Sequence, residues 1–148
     1  MKFFINGDTS QVINYINNQT GKITVTIEKG HNGKRSTNQN KLQRLWINEL
    51  ASQGDMTAEE YRAFCKLHIG VPILRNENEK FRQLYDEHMK WRDYQEKLRF
   101  MAEPFDFPVT RLMTVKQHKK FLDESNIFFT SQGFKLTDPE NLRWGDYD

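Results

Sequence analysis

The sequence predicts an α+β fold, in which a small N-terminal β-sheet with helices precedes a helix-rich C-terminal part. Two short apolar runs suited to strands lie within the first 30 residues. Beyond residue 36, apolar side chains recur at helical spacing in several segments. Aromatic residues make up 13% of the 148 residues, which is enough to build a core and argues against a disordered chain.

The N-terminal elements are predicted from two apolar runs and the polar residues between them. The run "KFFIN" (2–6) ends at a Gly-Asp pair, which predicts an opening strand. Asp8 or Thr9 can cap a helix that continues to about Thr20. In "KITVTIEKG" apolar residues alternate with threonines, which predicts a half-buried strand. The apolar positions of this strand are Ile23, Val25 and Ile27.

The C-terminal part is predicted to contain four longer helices. The first begins near residues 36–38 and ends at Gly54, and a capping box at Thr57–Glu60 opens the second. The third runs from Glu77 to about Met101, and the last spans about 115–130 after a proline-marked linker. A short terminal helix starts at Asp138 and Pro139. The third helix is expected to bury one seam, formed by Phe81, Leu84, His88, Trp91, Tyr94 and Leu98.

No motif for catalysis or metal binding is present in the sequence. The four histidines are scattered, with no HxxxH motif, no CxxC motif and no histidine–carboxylate cluster at ligand spacing. The single cysteine, Cys65, lies on an apolar helix face and is expected to be a small buried residue. We therefore expect no metal, no cofactor and no enzymatic activity. With no apolar run near 20 residues, we also expect a cytoplasmic protein without a membrane partner.

The stretch "GKRSTNQNKLQRLW" (33–46) is the most distinctive part of the chain. Five Lys/Arg and no acidic residue occur between Lys29 and Arg44, although the net charge is only +2. Small polar side chains fill the first turn of the helix that begins there. A helix start presents unpaired amides and a partial positive charge, so it attracts phosphate. The residues alone leave two interpretations open: a capped helix start with a solvated basic loop, or a nucleic-acid contact.

Three short motifs of the chain occur in an order that is typical of one protein family. They are "RSTNQN" (35–40), after a "TVTI" strand pattern, "TRLMTVKQHKKFLD" (110–123) and "RWGD" (143–146). They resemble the Arg-Ser-x-x-Gln-Asn signature, the Ser/Thr-Arg-Met segment and the C-terminal motif of the NinB, or Orf-like, family of phage recombination proteins. "TAEEYRAFCKL" (57–67) also fits this family. The resemblance covers about 22–67 and 110–146 of a single domain, 1–148, whereas 71–107 has no counterpart and is expected to be an inserted or elongated helical region.

The resemblance implies a function and an assembly. Members of the family form an intertwined or ring-like homodimer of mixed α/β subunits and bind single-stranded DNA. They associate with the host single-strand binding protein and help to load a strand-exchange recombinase. The family's DNA-contacting glutamine falls on Gln39, its arginine on Arg111 and its tail tryptophan on Trp144. The family's helix tryptophan stands five residues after the glutamine, but Trp46 stands seven after it, so we assign Trp46 no DNA contact and expect it in the core.

Taken together, the basic stretch and the resemblance predict a DNA-binding protein of phage type in the cytoplasm of the host cell. Arg111 could instead form a structural salt bridge, and Trp144 could pin the C-terminal tail. Two other functions remain open: a metal-dependent nuclease assembled from distant residues, and a protein–protein adaptor that uses the aromatic seam. The candidate DNA-binding residues are Lys34, Arg35, Ser36, Asn38, Gln39, Asn40, Lys41, Arg111, Lys116 and Trp144.

Overall fold

The computed structural model describes residues 3, 5, 7–27 and 37–141. The chain divides into two compact units, Met1–Asn32 and Gly33–Asp148. The described helices are α1 (Ser10–Asn17), α2 (Thr37–Gln53), α3 (Ala58–Cys65), α4 (Val71–Glu77), α5 (Glu79–His88), α6 (Tyr94–Met101) and α7 (Val115–Ser131). A π-helical turn spans Lys66–Gly70, and 3₁₀ turns span Thr110–Leu112 and Pro139–Asn141. Within the described residues, none of these helices is both long and apolar enough to cross a membrane.

The predicted α+β fold with an N-terminal sheet is wrong, because the described part of the chain is all-α. Residues 23–27 form no strand despite their alternating pattern, and only residues 3 and 5 of the predicted opening strand are described. Alternation predicts a strand only where a neighbouring strand supplies hydrogen bonds and a covered face. No described segment pairs with 23–27, and Ile27 is 91% exposed.

The N-terminal unit contains α1 and has no buried residue within that helix. Val12, Ile13 and Ile16 lie on one face of α1, as the sequence predicts, but Ile13 is half exposed. A unit of this size is too small to enclose a core of its own. The apolar side chains of its described residues are therefore exposed or half-buried.

The second unit is built around α2 and α7. Helix α2 packs on α3 and α7, α4 packs on α5 and α7, and α6 packs on α3 and the π-turn. Leu50, Leu74 and Phe121 lie at the centre of the core and are at most 2% exposed. The expectation that Trp46 belongs to the core is confirmed: its ring is buried, and Nε1 donates to the carbonyl oxygen of Thr137 at 2.8 Å.

Helix α3 begins as the sequence predicts. The Thr57 hydroxyl accepts from the Glu60 amide at 3.2 Å, and the Glu60 carboxylate accepts from the Thr57 amide at 3.3 Å, so the predicted capping box is confirmed. Cys65, near the end of α3, is buried as expected. Burial raises the pKa of its thiol to about 12, so the side chain behaves as a small apolar group.

The helix does not break at Pro72, because a π-turn accommodates the proline. The amide of Val71 donates to the carbonyl oxygen of Lys66, five residues earlier, which widens the turn before α4. A proline in the first turn of α4 has no amide to donate, and the wider turn relieves the clash that its ring would otherwise make. Gly70 lies within this turn, where its missing side chain allows Val109 to approach.

The predicted single helix from Glu77 to Met101 is also wrong, because this range contains two separately capped helices with a turn between them. Asn78 Oδ1 accepts from the amide of Phe81 at 3.0 Å and starts α5. Asp93 Oδ1 accepts from the amide of Glu96 at 2.9 Å and starts α6. The apolar positions therefore do not form one seam: Phe81 is buried, whereas Trp91, in the turn between α5 and α6, is 66% exposed.

A buried ion pair fixes the linker between α6 and α7. Lys66, which is 2% exposed, donates to the carbonyl oxygen of Met101 and to Oδ1 of Asp106, both at 2.7 Å. Arg62 donates to the same carboxylate oxygen at 2.6 Å. The hydrogen bond from Lys66, followed by that from Arg62, lowers the pKa of Asp106 to about 2, whereas burial lowers the pKa of Lys66 against the opposing effect of Asp106. This clamp holds the segment that leads to Arg111.

Candidate nucleic-acid interface

Helices α2 and α7 begin side by side. The Nε2 atom of Gln39 donates to the carbonyl oxygen of Val115 at 3.0 Å. Slightly further along, Oε1 of Gln43 lies 2.6 Å from Nε2 of His118. The two contacts advance in the same direction along both helices, so α2 and α7 run parallel here and their N-termini lie at the same end.

The start of α7 offers amide donors beside this contact. Thr114 and Gln117 form a second capping box, with hydrogen bonds of 3.1 Å in each direction. The box satisfies the amide of Gln117, but the amides of Val115 and Lys116 have no acceptor among the described residues. Since each helix start carries a partial positive charge, two adjacent starts form a favourable place for an anion.

Two basic side chains lie at this end of α7 without a carboxylate partner in the described part of the chain. Arg111, in the 3₁₀ turn before α7, is exposed, and so is Lys116 in the first turn. The alternative role of Arg111 in a structural salt bridge is not seen among the described carboxylates. By contrast, Lys119 bonds Asp123 at 2.7 Å, and Lys120 lies 3.4 Å from Glu77.

The other predicted DNA-binding residues divide into two groups. Asn38, Gln39, Asn40 and Lys41 lie in the first two turns of α2, next to the start of α7, and all four are half-buried. The structure therefore brings these four residues to the same end of the unit as Arg111 and Lys116. The remaining candidates lie outside the described residues and are Lys34, Arg35, Ser36 and Trp144.

His118 is a residue of this region that sequence reasoning missed. It is fully buried, its ring stacks on Phe121, and it bonds Gln43, so it locks α2 against α7. Spacing along the chain indicates metal ligands, but it does not reveal a histidine that bridges two helices. Gln39 and Gln43 stand four residues apart on one face of α2, and this spacing was the available signal.

A separate cleft of about 510 Å³ lies between α4, α5 and α7 and contains three cationic side chains. Each of these is paired: Arg75 with Asp86, Arg82 with Glu79 and Lys120 with Glu77. The cleft therefore presents no uncompensated cation to a phosphate chain. Among the described residues, no three His, Cys, Asp or Glu side chains converge to hold a metal ion.

No protein-family model, curated protein or solved structure matches this chain. The site is therefore characterised by its own geometry. In the described residues, it is a pair of parallel helix starts on an all-α unit, with two exposed and unpaired basic side chains beside them.

Proposed function

We propose that this protein binds single-stranded DNA and acts as a recombination accessory protein of phage type. The observation that carries the proposal is the bond from Gln39 to Val115, which brings the starts of α2 and α7 together. The two segments that resemble the NinB family, 35–40 and 110–123, are far apart in sequence and adjoin through this bond. Residues that recur together for one function are expected to lie together in space, so the contact supports the resemblance.

Binding at this place is electrostatic. The amides of Val115 and Lys116 donate to a phosphate, and the side chains of Arg111 and Lys116 supply positive charge. Because Nε2 of Gln39 already donates to Val115, we assign to Gln39 the task of positioning the two helix starts. Phosphate contacts carry little sequence information, so we expect weak sequence preference.

The remaining candidate residues extend this contact. The half-buried polar residues Asn38, Asn40 and Lys41 flank the α2 start, and the basic stretch with Lys34 and Arg35 directly precedes it in sequence. We propose that these residues and Ser36 continue the phosphate contact, and that Trp144 stacks on a base.

The assembly we propose is a homodimer in the host cytoplasm. Support comes from the N-terminal unit, whose apolar side chains at Ile13, Ile23, Val25 and Ile27 are between 43% and 91% exposed. Exposed apolar groups in this number are typical of a surface that a second protein covers. The proposed partners beyond DNA are the host single-strand binding protein and a recombinase, as the resemblance implies.

The function is tested by the binding of a fluorescent single-stranded oligonucleotide and its duplex across a salt series. With three to five phosphates contacted, the logarithm of affinity should fall against the logarithm of salt concentration with a slope of about −2 to −4. The single strand should bind more tightly than the duplex. A flat salt response, or equal binding of both forms, would contradict the proposal.

A further inference from the structure

Four planar side chains form a row near the turn between α5 and α6. The guanidinium carbon of Arg92 lies 4.5 Å from the centre of the Trp91 ring and 4.8 Å from that of Phe100. The ring of Phe100 in turn lies 5.0 Å from that of Phe105. We call Trp91, Arg92, Phe100 and Phe105 the stacking row. The cation between two rings adds a favourable cation–π interaction on each side.

Hydrogen bonds to the backbone hold one end of the row in place. Trp91 Nε1 donates to the carbonyl oxygen of Glu87 at 2.8 Å, and Nε of Arg92 donates to that of His88 at 3.0 Å. Both bonds run back one turn onto α5. The planes of Trp91 and Arg92 are thereby set before any ligand arrives, so binding costs little side-chain entropy.

Both ends of the stacking row are open to solvent. Each end residue has one neighbour within the row, yet Trp91 is 66% exposed and Phe105 is 58% exposed. Two exposed cations adjoin the row in sequence, since Lys90 precedes Trp91 and Arg99 precedes Phe100. The carboxylates on the same segments are Glu87, Asp93, Glu96, Glu103 and Asp106, of which Glu96 approaches Arg92 at 3.9 Å and Asp106 is paired with Lys66 and Arg62.

We propose that the stacking row is a second contact for the same single strand, with unpaired bases stacked on the exposed faces of Trp91 and Phe105. This inference rests on the proposed function. Every base has a flat π-face, so stacking tolerates any sequence, and the neighbouring Lys90 and Arg99 suit the phosphates between stacked bases. The two exposed ends of the row are flat aromatic rings, a shape that suits the face of a base.

One strand can reach both contacts. Phe105 stands six residues before Arg111, so their Cα atoms are at most roughly 20 Å apart even if the linker is fully extended. Single-strand sites commonly cover about 4–16 nucleotides, which is enough to span that separation. The linker that joins the two residues is itself fixed, because Asp106 is bonded to Lys66 and Arg62.

The test compares Trp91→Ala with Ile127→Ala, which removes an apolar side chain of matching exposure from α7. Ile127 is 67% exposed and lies outside the stacking row. The probes are a fluorescent oligothymidylate and an abasic sugar–phosphate chain of equal length. We expect Trp91→Ala to bind oligothymidylate about 5- to 150-fold more weakly than the wild type, with an unchanged salt slope. Trp91→Phe should keep most of the affinity, and Ile127→Ala should keep all of it.

The abasic chain separates base stacking from phosphate contact. All four proteins should bind it equally, since it has no base to stack. If the wild type binds oligothymidylate with the expected salt slope and Trp91→Ala binds it equally well, the inference is overturned while the proposed function stands. If the wild type binds neither probe at low salt, both proposals fail.

Discussion

The side-chain nitrogen of Gln39 bonds the backbone oxygen of Val115 at 3.0 Å across 76 residues of chain. This bond joins the start of α2 to the start of α7. One turn further along both helices, the contact between Gln43 and His118 continues the packing of α2 against α7. A basic helix start is common in proteins, but two parallel starts pool their amides and partial charges at one place. Arg111 and Lys116 then add full charges at the same end.

Gln39→Ala and Gln39→Glu should differ in DNA binding more than in stability. Both variants lose the donor to Val115, which should lower the free energy of unfolding by about 0.5–1.5 kcal/mol. Gln39→Glu also places a negative charge where phosphate is proposed to bind, so it should bind single-stranded DNA more weakly than Gln39→Ala. Urea unfolding and oligonucleotide titration measure the two effects. Equal affinity of the two variants would argue against phosphate at this place.

Asp106→Asn should destabilise the protein, because it removes the negative charge that compensates the nearly fully buried Lys66 and leaves that cation only neutral oxygen acceptors. We expect the free energy of unfolding at pH 7 to fall by about 1–3 kcal/mol. Because the pKa of Asp106 is lowered to about 2 on folding, its contribution is present above about pH 4 and is lost as the pH falls towards 2.

The wild type should therefore lose more stability than Asp106→Asn as the pH falls from about 4 to 2, as measured by thermal or urea unfolding at each pH. Asp123→Asn is the control, since Asp123 bonds Lys119 on the surface, where such a pair contributes little. If the stability of the wild type and of Asp106→Asn changed in parallel with pH, the proposed contribution of the Asp106 carboxylate to stability would be contradicted.

Gly70→Ala should also be destabilising, because a methyl group at residue 70 would lie 2.5 Å from Cγ1 of Val109. Overfilling a packed core typically costs about 1–3 kcal/mol of unfolding free energy. Val109→Ala makes room at the same contact, so Gly70→Ala should cost much less in that background. Urea unfolding of the wild type, the two single variants and the double variant gives the coupling free energy between residues 70 and 109. A coupling of zero would show that contact with Val109 is not the reason why residue 70 must be glycine.

The sequence predicted those parts of the fold that depend on local chemistry. The capping box at Thr57, the extents of α2 and α7, and the burial of Trp46 and Cys65 all follow from residue spacing. The strand prediction at 23–27 failed because a strand also needs a partner, which alternation within one segment does not reveal.

Two features of the second unit, the break before α6 and the contact between Gln39 and Val115, cannot be predicted from the periodicity of apolar residues. Asp93 is an ordinary polar residue within a helical pattern, yet it caps a new helix, α6, so that Trp91 lies in an exposed turn and not in a buried seam. The meeting of Gln39 with Val115 depends on packing between distant segments. The motifs at 35–40 and 110–123 could be identified from the sequence, but only the structure shows that the two segments lie next to each other.

The most direct test of the proposed phosphate site compares two double variants of α7 and its preceding turn that lose the same charge. Arg111→Ala/Lys116→Ala removes two cations that have no carboxylate partner among the described residues, whereas Lys119→Ala/Lys120→Ala removes two cations paired with carboxylates. The measurement is the salt slope of binding to a single-stranded oligonucleotide. The first variant should lose about 1.4 from the magnitude of the wild-type slope, at about 0.7 per phosphate, and the second should keep nearly all of it. If both variants lost the same amount of salt slope, DNA binding would depend on the overall positive charge and not on a site at the starts of α2 and α7.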